Sequence, residues 1–594
     1  GNEKGSLEGT SPSSVYINEF DHIQVFTGAG SDTMSFKNFA TGTVKVTLGS
    51  TGSTGVTSFI GKDNADAEIV KASGTNVWII TGANKGTIKE TGFSDITFLN
   101  FDKLTGGTGK DTFNFSTVAD AAIGTIDGGG LAEGNEIIAR KGASVKNTWL
   151  MTANNTGSLA QTDGASTTYV TQFSHIEEFV GAGADTMSYA GVNTGPVVVT
   201  LGDAGVTGVN NFIGSANAAV ESTLIGENKS NAWIINGANS GSINLSVQNA
   251  AVTFSNFKNL SGGSEQDTFT FDTNGSVSGT LNGQNGTDTL IAKDVANTWE
   301  FTAANTGNIA SDGTTYVANF IGMQVLQGGS AVDTFNLSNN FNGTINGGAD
   351  NDVFNINAVV NALKGETGND SFVFNSASNT GTAANIDGGA DTNTLIGRVD
   401  NNTWTINSQN AGTLGLTSGP LYVTTFTNIQ SLTGSTGADT FHINAAIAGN
   451  INAGAGDNIF NINAVVGDLV GGANNDSFIF LDNGSANSIN GAGGTNTLTG
   501  KNSATTWAIN LAESGSLTDI ASGIAYLNSF SNIQTLQGGT AADTFNLNAA
   551  FSGLINGGIG ADVFNINAAV NELQGGNGND SFIFSSALNA GVAT

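Results

Sequence analysis

The chain is 594 residues long and carries 84 Gly, 3 Pro and no Cys, with 38% hydrophobic and only 11% charged residues. That much apolar content excludes simple disorder, the period of the glycine clusters excludes collagen, and the missing cysteines remove disulfides and thiolate metal sites together. The 49 acidic against 18 basic side chains give a net charge of −31, which repels phosphate backbones and anionic lipid and leaves cations as the better partners.

At the N-terminal end no basic stretch leads into an apolar one, and no apolar run along the chain is long enough to span a bilayer, so no membrane insertion is expected. Tyr16 to Phe26 repeats as Tyr169 to Phe179, where it follows Trp149. The first copy has no Trp before it, and the copy of Ser477–Phe480 at Ser581–Phe584 precedes no further glycine turn. The segment is therefore expected to be part of a longer polypeptide, with any export signal outside it.

All six tryptophans share one kind of position: Trp78, Trp149, Trp233, Trp299 and Trp404 follow Asn-Xaa, and Trp507 follows Thr-Thr. Trp78 and Trp233 are 155 residues apart, whereas Trp299, Trp404 and Trp507 are separated by 105 and 103. This divides the chain into residues 1–296, with a superrepeat of about 154 residues, and 297–594, with one of about 104, read together as a continuous rod. Each Trp opens a longer stretch, such as Trp404 to Leu432, where extra loops or a small hairpin are expected. Large aromatics usually sit in cores, so the Trp reads as a packing landmark rather than a sugar-stacking platform.

The second half states its repeat three times, as INGGADNDVFNINAVVNALKG from Ile345, INAGAGDNIFNINAVVGDLVG from Ile451 and INGGIGADVFNINAAVNELQG from Ile555. After each glycine turn, apolar and polar residues alternate, placing Phe354, Ile356 and Ala358 on one side and Val353, Asn355 and Asn357 on the other, which is the period of a strand. Ile345 to Leu363, Ile451 to Leu469 and Ile555 to Leu573 are each 18 residues. The pattern predicts an all-β fold, an elongated parallel β-solenoid with coils of about 18–20 residues, and the general preference of crossover connections makes it right-handed. Stacked coils would set Phe354 on Phe372 and Phe564 on Phe582 in an internal ladder, with Trp299, Trp404 and Trp507 as its larger members. Each buried ring is worth roughly 2 to 3 kcal/mol. About 31 coils rising ~4.8 Å apiece give a length on the order of 150 Å.

Three glycine turns read G-G-x-G-x-D-x-[FL]-x in full, at Gly106–Asn114, Gly557–Asn565 and Gly575–Ile583, while Ala331, Asp350 and Ala541 break the fourth position elsewhere. One reading of the turn aspartate is a cap, its side chain bonding the backbone in a stacked Asp/Asn ladder; Asn393 and Asn496 at the same place fit it. His22 and His175 stand where Asn428 and Asn532 stand, and His442 where Asn336 and Asn546 do, so all three read as substitutes for asparagine. A catalytic constellation is needed once and should break the repeat, yet Asp32, Asp111, Asp185, Asp267, Asp333, Asp439 and Asp476 all belong to the repeated turn. No enzyme is expected.

The complete turns resemble the calcium-binding nonapeptide of RTX exoproteins, in which carbonyls and the Asp of successive same-side turns hold Ca²⁺ between coils. The resemblance implies Ca²⁺ at Asp562 with Asp580, then at Asp352 with Asp370 and Asp543 with Asp562, with Asp333 as a further ligand. It departs from RTX blocks in carrying the motif on one edge of each coil. The phrases NTWTINSQNAGTL (402–414), FTNIQSLTGSTGADTF (426–441) and INGGADNDVFNI (345–356) are similar to the stalk repeats of filamentous-haemagglutinin-like two-partner secretion adhesins, large RTX-type biofilm adhesins and RTX-bearing S-layer proteins, over essentially the whole chain. The resemblance implies export from a Gram-negative cell and a place at the extracellular cell surface as an adhesive stalk. Its partners would be like molecules on neighbouring cells or matrix exopolysaccharide, with lateral self-association and no nucleic acid. A calcium-dependent S-layer-like lattice is the alternative, and a polysaccharide-degrading β-helix a third reading.

Overall fold

The computed structural model describes residues 4–584 apart from 9–14, 22–31, 38–42, 50–55, 64–65, 131–133, 143, 163–165, 203–204, 246–250 and 375–379, with backbone alone at 4–8 and 15–21. The described residues are strands, turns and bends without a helix, and parallel pairing dominates, as a β-solenoid requires. Two compact units are formed, Gly1–Asp288 and Thr289–Thr594.

In the second unit, consecutive strands alternate between two parallel stacks. One stack runs Val325–Gln327, Phe341–Ala349, Val359–Thr367, Thr382–Asp387, Leu421–Thr427. The other runs Thr334–Leu337, Val353–Ile356, Ser371–Val373, Thr394–Ile396, Ser431–Ser435. Period-two alternation sends every second side chain inward, and register aligns like with like: Leu326, Ile345, Leu363 and Ile386 in one stack face Phe335, Phe354, Phe372 and Leu395 in the other, all at most 1% exposed.

Phe354 lies over Phe372 with centroids 4.8 Å apart and planes 6° from parallel, and Phe564 over Phe582 likewise. Stacking adds about 0.5–1.5 kcal/mol per pair to the burial of the rings. Phe582 differs from the expectation of an internal ring: it is 46% exposed, because it stands in the last described strand and no described coil covers it.

The stretch after each Trp is a hairpin plus a third strand. Asn402–Ser408 pairs antiparallel with Ala411–Leu416, which pairs antiparallel with Leu421–Thr427; the outer two then pair in parallel with Thr440–Ile443 and Thr382–Asp387. Such a meander inserts into one stack and adds two strands to it. The glycine two residues after the hairpin tip is required by contact: a Cβ on Gly412 would lie 2.9 Å from the ring of Phe426, and one on Gly307 2.7 Å from that of Phe320. Trp299, Trp404 and Trp507 are wholly buried, each stacked on the next phenylalanine of its ladder, Phe335, Phe441 and Phe545.

The first unit uses the same grammar with longer coils. Met34 pairs with Phe59, Val46 with Ile69, Leu104 with Ile126 and Phe113 with Ile137, steps of 22–25 residues where the second unit mostly takes 18–20.

Candidate functional site

The turn aspartates and asparagines line up on an internal edge of the coils. In each rung the Oδ1 of one residue accepts the backbone N–H of its counterpart one coil earlier. One ladder runs Asn297, Asp333, Asp352, Asp370, Asn393 at 2.7–2.9 Å. A second runs Asn402, Asp439, Asn458, Asp476, Asn496 over the same range, and a third Thr505, Asp543, Asp562, Asp580 at 2.7–3.0 Å. Each starts two residues before a Trp. The first two close on a glutamine, Gln430 and Gln534, whose Oε1 accepts from Asn393 and Asn496. In the first unit Asn231, Asp267 and Asp288 repeat the pattern.

The expected ladder is therefore present, with one difference. In the first and third ladders the lowest aspartate also caps its own turn: Asp333 Oδ2 accepts from Gly329 N–H at 2.8 Å and Asp543 Oδ2 from Gly539 N–H at 3.0 Å. In the higher rungs the Oδ2 atoms of Asp352, Asp370, Asp476 and Asp562 are buried without a hydrogen-bond partner. Burial pushes the carboxyls of Asp333, Asp370, Asp439, Asp476 and Asp543 up to about 6. Asp352 is pushed to about 8, first by burial and then by the carboxylates of Asp333, Asp370 and Asp350.

The foot of each ladder is held by residues that the sequence analysis did not single out. Asn402 donates from Nδ2 to the carbonyls of Arg398 and Asp400 and accepts from the Tyr422 hydroxyl at 2.9 Å, while the Arg398 guanidinium lies 4.2 Å above the Tyr422 ring. Arg140 with Tyr169, Lys293 with Tyr316 and Lys501 with Tyr526 make the same cation–π corner. The signal was available: four of only 6 tyrosines follow a Trp by 17–20 residues, with a scarce basic residue shortly before it.

A calcium ion takes six to eight oxygens. The pair ranked first, Asp562 and Asp580, supplies less: Asp580 Oδ1 is spent on the Asp562 N–H, and Asp562 Oδ2 faces the carbonyl of Gly575 across the Cα of Gly557. Asp352 with Asp370 and Asp543 with Asp562 are joined in the same way. Among the described residues no three His, Asp or Glu side chains converge as a metal centre. The hydrogen bonds that the described residues show are those of a ladder.

His175 Nδ1 lies 2.7 Å from Asp127 Oδ1, with φ of 54°, and its sister Asn428 donates to Asp387 Oδ1 at 2.7 Å with the same φ. His442 contacts Asn461 within an outward row of asparagines. Both are substitutes for Asn, as expected; His22 lies outside the described residues. On the outer face of the second unit a shallow groove of about 360 Å³, lined by Asn342, Val359, Asn361, Ala384, Leu421 and Thr424 among others, has no charged side chain in its wall. Neither models of known protein families nor the curated proteins gave a match to this chain.

Proposed function

We propose that the chain is the structural stalk of a secreted bacterial surface filament, serving attachment between cells or to surfaces and the building of a biofilm matrix. The observation that carries this reading is that the repeated acidic residues are spent on stacking one coil on the next. The carboxylates of the turns accept backbone N–H groups from neighbouring coils, and the arginines and lysines beside the tryptophans cover tyrosines. A chain whose chemistry is consumed by its own stacking serves through extent and surface.

Its outer faces offer rows of amide and hydroxyl groups, such as Asn355 on Asn336 and Asn565 on Asn546, which suit neutral glycan or a like molecule better than an anion. The sequence resemblance to exported adhesins points the same way. Deleting the encoding region from the source cell is expected to abolish aggregation and surface attachment without changing growth, with the protein detected outside the cell. Retention in the cytosol would overturn the reading. Calcium-dependent sheets of the purified protein would select the lattice alternative, and release of sugar ends from a glycan the enzymatic one.

A further inference from the structure

One buried acid lies in the middle rungs of a ladder that alternates Asp with Asn. Asp476 is 1% exposed; its Oδ1 accepts the Asn458 N–H at 2.9 Å, and its Oδ2 has no partner. That Oδ2 and the carbonyl oxygen of Gly491, in the next coil, converge on the Cα of Gly471: a Cβ placed there would touch Oδ2 and lie 2.9 Å from the carbonyl oxygen. The next rung has the same layout with an amide in place of the acid. At Asn496, Nδ2 and the carbonyl of Asn532 converge on the Cα of Gly491, and Nδ2 donates to that carbonyl at 3.0 Å. One rung earlier Asn458 Nδ2 donates to the Gly471 carbonyl at 3.3 Å. The first ladder agrees, with Asn393 donating to Asn428 at 3.2 Å.

At these rungs the fold therefore presents a carbonyl acceptor to a side-chain donor. An ionised carboxylate has no donor to offer, and two facing acceptors buried without one are costly. We propose that Asp476 is a neutral carboxylic acid whose Oδ2–H donates to the Gly491 carbonyl, so that this part of the fold takes up a proton as its coils stack. The charged groups on the elements packed against it are acidic, Asp457 in the preceding turn and Asp439 two coils earlier, and no ion pair among the described residues engages it. Burial first, and then Asp457, hold its carboxyl at about 6. A folded value above the unfolded one, about 3.9, makes its contribution complete below pH ~4 and lost as the pH rises through about 6.

Unfolding curves of the purified chain, of Asp476→Asn and of Asn458→Asp between pH 4 and 8, each with and without a chelator, test this. The wild type's folding equilibrium is expected to weaken on the order of a hundredfold through this group as the pH rises from 4 to 7, and Asp476→Asn to remove that share and take up about one proton fewer. Asn458→Asp should steepen the pH dependence in the same direction. The proposal is overturned if Asp476→Asn fails to fold, if its pH slope equals the wild type's, or if chelation weakens the wild type but not Asp476→Asn, which would put a metal between the two oxygens.

Discussion

The meanders at Trp404 and Trp507 share their Trp, hairpin glycine, Tyr, Phe and Asn-Ile-Gln positions, yet they enter opposite stacks of the second unit. The Trp404 meander joins the stack that holds Ile345 and Leu363; above it the same stack carries Phe441, Phe460 and Phe478. The Trp507 meander joins the other, above Leu469 and Ile489 and below Phe545 and Phe564. Each adds two strands to one side, as the Trp299 meander does to the stack of Phe335 and Phe354. Phenylalanine and aliphatic ladders also trade sides at each crossing. In the first unit the Trp78 meander sits in the stack of Val56–Ile60 and Asp111–Asn114 and the Trp149 meander in that of Lys103–Thr105 and Ile123–Asp127, whereas the Trp233 meander shares the Trp149 stack through Met187, Phe212 and Phe254.

The largest break in this pattern should come from changing the parity of half-coils. Removing residues 355–372 takes out one coil at the spacing of the Phe354–Phe372 pair, and the shortened second unit is expected to keep its strand content and cooperative unfolding. Removing 355–363 alone sends every later strand to the wrong stack. Circular dichroism and proteolysis should then report a second unit that does not assemble.

Next in size is the tryptophan itself. Trp404→Ala and Trp507→Ala each empty a wholly buried site and should cost about 3–5 kcal/mol in denaturant unfolding. Equal losses are expected, since the two sides offer the same ring environment; a large inequality would mean that one stack bears more of the stability.

The smallest effect separates the ladder feet. Asn402 makes three amide donations, to Arg398, Asp400 and Asp439, and accepts from Tyr422. Thr505 in the sister position reaches Ser503 and Tyr526 with its hydroxyl. Asn402→Ala should therefore cost about 1–3 kcal/mol and Thr505→Ala roughly 1, measured by the same unfolding curves.

Much of this was legible in the residues. The 18-residue step, the inward phenylalanines and the buried tryptophans follow from period two and from the spacing of the glycine turns. The Asp/Asn ladder was visible as one of two readings, because Asn393 and Asn496 could replace Asp. Less visible was the direction of its bonds. The N–H that Asp370 Oδ1 accepts belongs to Asp352, 18 residues earlier, and only stacking brings the two together. The Arg/Tyr corner went unread because its partners are 24–29 residues apart in the Arg398 and Arg140 copies and meet only through the meander.

By itself, then, the sequence determined the coil: its length, which side chains point inward, and where each glycine must yield to a carboxylate or a ring, since these depend on local backbone geometry and the size of one side chain. The tertiary structure alone decided which stack each meander enters and what each ladder oxygen faces. Both depend on the count of strands already laid down and on atoms a whole coil away, which similar local sequences cannot tell apart.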